Sequence, residues 1–251
     1  MASRGAKSEF HCVDLRGEAR VTRMGETVTF VSNGGTCTGY LALPESGRGP
    51  AVIVIQEWWG LVPHIVATVD RFAAAGYVAF APDFYRGGRT TEPDEAQKMM
   101  LGLKVEQAAK DMAGAAAYLV SRDDVTSNKV GAVGFCMGGG LALLAGTVSE
   151  HIVATSCFYP ATPWPDYHPD WTKYAGKSAI VHKAELDDPG AISAVAGIAS
   201  EIRAADGSAE IFEYTGGHHA FFNDERPEIY DAAHAELAFT RTLDLFSRTL
   251  D

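Results

Sequence analysis

Lys129-Val-Gly-Ala-Val-Gly-Phe-Cys-Met-Gly-Gly-Gly140 is the stretch whose reading decides the fold. Residues 129–135 read as a strand, and residues 138–146, with the apolar run Leu141-Ala-Leu-Leu-Ala145, read as a helix. Between them stands Gly134-x-Cys136-x-Gly138, the pattern of a nucleophile elbow with cysteine in place of serine. A sharp strand-to-helix turn needs small residues on both flanks, because a side chain there would strike the neighbouring strand or helix. The turn also aims the positive end of the helix at Cys136, which favours a thiolate and anionic intermediates. The N–H of Met137 would then be one oxyanion donor. The plainer reading is a tight turn holding a buried cysteine. A phosphate loop is disfavoured, because no Lys-Ser or Lys-Thr follows and the spacing is not Gly-x-Gly-x-x-Gly.

Working outward from the elbow, the order nucleophile, acid, histidine is satisfied downstream. Asp187 and Asp188 follow a predicted strand at residues 178–182. His218 and His219 follow another at residues 209–214. Both sites lie just past strand C-termini, the edge where α/β sheets gather ligands. Upstream, Glu57 directly follows the apolar run Ala51-Val-Ile-Val-Ile55 and Gln56, and precedes Trp58 and Trp59. That setting suggests a buried carboxylate whose neutral form is favoured; the plainer reading is a carboxylate escaping to solvent.

The rest of the chain alternates strand and helix. Residues 28–31 and 37–43 are β-like around the turn Ser32-Asn33-Gly34-Gly35, a strong hairpin signal. Strands are read at 51–55, 77–81 and 152–158, and helices at 62–73, 192–205 and 228–250. Residues 92–120 read as helix, interrupted near Gly102. This alternation implies a mostly parallel sheet covered by helices on both faces. Residues 1–20 read as a loosely held arm and 21–251 as one domain, because the aromatic loop 163–176 looks packed rather than hinge-like.

Composition narrows the function. The 251 residues are 47% hydrophobic and 21% charged, which excludes a disordered chain. With 21 basic and 32 acidic residues the net charge is −11, which disfavours nucleic acid and anionic membranes as partners. The four cysteines Cys12, Cys37, Cys136 and Cys157 form no C-x-x-C pair, so neither a disulfide scaffold nor a structural zinc site is expected. No secretory signal and no bilayer-length apolar run is read, which leads us to expect a cytoplasmic protein.

At this point the chain resembles the dienelactone hydrolase family of the α/β-hydrolase fold, from about residue 21 to the C-terminus. The residues that carry the resemblance are Ile55-Gln-Glu-Trp-Trp-Gly60, Ala81-Pro-Asp-Phe-Tyr85, Val133-Gly-Phe-Cys-Met-Gly-Gly139 and His219-Ala-Phe-Phe222. The resemblance implies about eight strands with a minimal lid or none, and no cofactor. It implies Cys136 as nucleophile, His219 as base and an aspartate orienting it. Asp187 fits best and Asp188 is the rival. Glu57 would match a glutamate that interacts with the resting thiol, and the N–H of Trp58 a second oxyanion donor. Trp59 is a candidate for the substrate-binding wall. Two arginines that hold a substrate carboxylate are not matched. Asn223 stands where one is expected, four residues after His219, and Arg86 or Arg89 would have to replace the other.

The expected function is cysteine-dependent hydrolysis of a small ester or lactone through an acyl-enzyme. The rival from another class is a ligand-binding or sensing protein on the same fold with slow or silent chemistry. A third reading is a redox-sensing thiol at Cys136; the sequence names no resolving cysteine for it, Cys157 past the next helix being the nearest to consider. A metal site of His218, His219 and Asp187 is weak, because adjacent histidines in a turn seldom converge on one ion. Oligomeric state, monomer or homodimer, is left open.

Overall fold

The computed structural model describes residues 25–250. The expected arm over 1–20, the start of the domain at residue 21, and Cys12 lie outside the described residues.

The chain opens with a hairpin of β1 (Gly25–Ser32) and β2 (Gly35–Ala42), paired antiparallel with Ser32 opposite Gly35. Asn33 and Gly34 both take positive φ, 51° and 75°, the two-residue turn whose twist suits a hairpin. Next come β3 (Gly49–Ile55), α1 (Pro63–Ala74), β4 (Val78–Pro82), α2 (Pro93–Gly102) and α3 (Val105–Val120). After β5 (Val125–Phe135) follow α4 (Met137–Val148) and β6 (Ile152–Phe158). The described chain ends with β7 (Ser178–Ala184), α5 (Pro189–Ala204), β8 (Ser208–Tyr214) and α6 (Ala232–Thr249).

The eight described strands form one sheet in the order β1-β2-β4-β3-β5-β6-β7-β8. β2 runs antiparallel to β4, and from β4 to β8 every pairing is parallel. Only the first strand pairs break the parallel rule, as a hairpin feeding an α/β sheet must. The fold is an α/β hydrolase of one sheet with flanking helices.

Burial follows the sequence pattern. Residues 51–55 of β3 and all of β4 are buried, as strands covered on both faces should be. α4 is buried over its first ten residues, Met137–Gly146, so it runs through the core without a polar face. A polar island sits between the sheet and α6. His182 of β7, wholly buried, meets the Tyr214 hydroxyl through Nδ1 at 2.8 Å, and Ser156 and Thr242 through Nε2 at 3.2 Å each. Burial, reinforced by the charge of Arg241, lowers His182 to about 3, so the ring stays neutral in the fold.

Among the boundaries that differ from the sequence reading, three have a clear local cause. β5 begins at Val125 because residues 125–129 continue its extended path across an irregularity opposite β3. α5 begins at Pro189 because proline suits the first helical turn and Asp188 caps it. α6 begins only at Ala232, where the Asp231 carboxylate accepts the His234 N–H at 2.9 Å, since residues 221–231 are used as loop.

Candidate active site

Cys136 alone forms the turn between β5 and α4. Its φ of 55° and ψ of −117° lie outside the regions an L-residue adopts freely. Such a backbone costs on the order of 1–3 kcal/mol and persists only where its surroundings fix it. The Cys136 N–H donates to the Phe158 carbonyl at 3.1 Å, and its own carbonyl accepts from Ala161 at 2.9 Å. The flanking glycines are sterically required. A Cβ on Gly134 would stand 1.9 Å from the Gly138 carbonyl oxygen, and one on Gly138 would stand 2.4 Å from those of Ile55 and Gln56. Met137 opens α4, so its N–H has no carbonyl one turn back to bind.

His219 arrives from the loop after β8. Its Nδ1 lies 2.9 and 3.0 Å from the two carboxylate oxygens of Asp187, in the loop after β7. Asp188 does something else: its Oδ1 accepts the N–H groups of Gly190 and Ala191 at 2.8 and 3.1 Å, capping α5. His218 is exposed. Burial opposes charge on His219, but hydrogen bonds with Asp187 and the Cys136 sulfur outweigh it and push the imidazole up to about 10. The thiol, imidazole and carboxylate therefore form one chain of partners.

Glu57, 1% exposed, sits at the end of the segment after β3. Its Oε1 accepts from the Tyr159 hydroxyl at 3.4 Å and its Oε2 from Asn223 Nδ2 at 2.9 Å. With Trp58, Trp59, Cys136, His219 and Ala220 it lines a cavity of about 180 Å³, closed by Met100 from the end of α2, Ala161, and Arg226. The Tyr85 hydroxyl donates to the Met137 sulfur at 3.1 Å; burial, and then the nearby Cys136, push its phenol up.

The structure gathers Cys136, Asp187, His219, Glu57, Trp58 and Trp59 at the C-terminal edge of the sheet, with Met137 opening α4 directly after the thiol. It turns Asn223 onto Glu57. Arg86 goes elsewhere: its guanidinium lies 2.6 Å from Asp111, a carboxylate only 2% exposed that needs a countercharge, and it lines a separate cavity with Asp111 and Lys104. Sequence reasoning missed Arg226, Met100 and Tyr159. Arg226 lies seven residues past His219 instead of four, Met100 sits on a helix with no motif, and Tyr159 reads only as the end of a strand. Among the described residues no three His, Cys, Asp or Glu side chains converge as a metal site, and no helix is long and apolar enough to cross a membrane.

The family model described as "Dienelactone hydrolase family" matches residues 37–250. "Protein usf" of Aquifex pyrophilus is 34% identical over 90% of this chain and 100% of its own length. A protein of Aquifex aeolicus named "Putative carboxymethylenebutenolidase" is 30% identical, with the same coverages of 90% and 100%. Among solved structures, a dienelactone hydrolase-like promiscuous phosphotriesterase, P91, from metagenomic libraries superposes with a TM-score of 0.76. That match has 21% identity and covers 91% of this chain and 100% of the other; it speaks for the fold alone.

Proposed function

The chain belongs to the dienelactone hydrolase family of ester and lactone hydrolases, and from that premise we propose that it works through Cys136 as a covalent nucleophile on a small ester or lactone. The observation that carries this reading is the partner chain from Cys136 through His219 to Asp187, with the thiol and the imidazole on the wall of the cavity.

His219 takes the thiol proton, and the sulfur of Cys136 attacks the carbonyl carbon. The carbonyl electrons move to oxygen, and the N–H groups of Trp58 and Met137 hold the oxyanion. The oxyanion collapses, the bond to the ester oxygen breaks, and the imidazolium returns the proton to that oxygen. In a lactone the freed hydroxyl stays tethered to the acyl group. A water then gives its proton to His219 and attacks the thioester carbonyl, the carbon–sulfur bond breaks, the imidazolium returns the proton to the Cys136 sulfur, and the acid leaves. Asp187 orients the ring and stabilises the imidazolium. The cavity of about 180 Å³ suits a small substrate, and Arg226 is the cation among its lining residues, so a substrate carrying an anionic group is favoured.

The test is mass spectrometry of the intact protein after brief exposure to para-nitrophenyl acetate and acid quench. An acetyl adduct on Cys136 is expected, with loss of both adduct and turnover in Cys136→Ala. Turnover at the wild-type rate in that variant would overturn the mechanism.

A further inference from the structure

Tyr159 is held in a conformation that tyrosine seldom adopts. Its φ is 35°, it is 1% exposed, and its N–H is fixed to the His182 carbonyl at 2.8 Å, extending the β6–β7 pairing by one bond. Strained non-glycine residues cluster where the surrounding structure exploits them. Here the strained turn carries the ring against His219, with centroids 5.1 Å apart and planes tilted by 59°, and sends the hydroxyl to Glu57. Burial first, and then the proximity of Glu57 and Cys136, push the phenol well up, so it keeps its proton and acts as a donor.

Asn223 supplies the second donor. Its Oδ1 already accepts the Glu225 N–H at 3.1 Å, which fixes the amide so that Nδ2 faces Glu57. Asn223 is 3% exposed, and the next residue, Asp224, binds His64 Nδ1 of α1 at 3.0 Å. The loop that carries His219 is thus fastened twice to the β3–α1 region, once through Glu57 and once through His64. Glu57 has no hydrogen bond to Cys136 among the described residues, although both line one cavity with His219 and Arg226.

We propose that Tyr159 and Asn223 are positioning residues that occupy both oxygens of Glu57, keep it off the Cys136 thiol, and leave His219 as the base that thiol uses. Glu57 becomes a fastening carboxylate for the His219 loop. This rests on the reading of Cys136 as nucleophile, but it concerns the thiol itself and can fail separately.

The experiment is the rate of Cys136 alkylation by iodoacetamide, located by mass spectrometry and followed across pH from about 5 to about 9. It is run on wild type, Tyr159→Phe, Asn223→Ala and the double variant, each with and without Glu57→Gln. Tyr159→Phe keeps the ring against His219 and removes only the donor. We expect the factor by which Glu57→Gln changes the rate to be at least about fivefold larger in the double variant than in wild type, with an altered pH profile. A Glu57→Gln effect of equal size in both backgrounds would overturn the proposal. If the double variant melts before assay, the cycle of Tyr159→Phe with Glu57→Gln decides by the same comparison. Ester turnover retained in Cys136→Ala would remove the proposed function but leave this readout intact.

Discussion

His219 Nδ1 lies 2.9 Å from one carboxylate oxygen of Asp187 and 3.0 Å from the other, while the adjacent Asp188 caps α5. One step along the chain separates a residue bonded to an imidazole from one that opens a helix. Asp187→Asn should therefore lower kcat by a factor on the order of 10³ or more, as loss of an orienting carboxylate does elsewhere. Asp188→Asn keeps a good capping side chain and should leave kcat within about twofold. Steady-state kinetics on a para-nitrophenyl ester checks both, and reversed effects would reverse the roles.

The cysteines should separate cleanly. Cys136→Ala is expected to abolish acyl-adduct formation. Cys37→Ser and Cys157→Ser should retain turnover and lose stability. Burial raises both thiols, Cys37 to about 11, with the Asp111 charge adding to it, so neither is a ready nucleophile. Thermal melting alongside turnover distinguishes the two kinds of loss.

Arg226 and Arg86 should differ in the same manner. Arg226→Gln is expected to raise KM roughly tenfold for a lactone bearing a carboxylate and to leave a neutral ester almost unchanged. Arg86→Gln should leave both KM values alone and destabilise the fold, because it strands the buried Asp111 without its cation. A selective KM effect from Arg86 would relocate the anion site.

Stability should fall on mild acidification through His182. Its folded value, about 3, lies below its ordinary 6.5, so the unfolded chain takes up a proton that the folded chain refuses. The contribution is complete above about 6.5 and is lost as pH falls towards 3, with a slope of at most about 1.4 kcal/mol per pH unit. His219 has the opposite sign. Its folded value is raised to about 10, so its contribution is present below 6.5 and fades as pH rises towards 10. Urea unfolding at pH steps between about 7 and about 5 should show a steeper loss in wild type than in His182→Gln. Parallel losses would mean that His182 does not carry this dependence.

Gly138→Ala should destabilise by at least roughly 2 kcal/mol or prevent folding, since its Cβ would meet two carbonyl oxygens of the β3 end. Gly197→Ala, on α5 with nothing near its added Cβ, is the matched control and should be neutral or mildly stabilising. Melting temperatures of the two variants check this.

The sequence by itself determined the features that local physics controls. The apolar run at 51–55 and the β-rich stretch at 152–158 read as buried strands, Asn33-Gly34 as a tight hairpin turn, and Gly134-x-Cys136-x-Gly138 as a crowded strand-to-helix elbow. Their order along the chain was enough to foresee an α/β sheet with a thiol, a carboxylate and an imidazole along one edge. Tertiary structure alone decided which neighbour does which task. The resemblance favours Asp187 over Asp188, and the tertiary structure sets Asp187 against His219 while the start of α5 at Pro189 makes Asp188 its cap. Arg86 was expected at the substrate, but the buried Asp111 claims it from another element. Arg226, Met100 and Tyr159 enter the cavity through loop paths and a strained φ that no residue pattern announces. Periodicity encodes which side of an element is buried; it carries no record of the partner that loops bring from a hundred residues away.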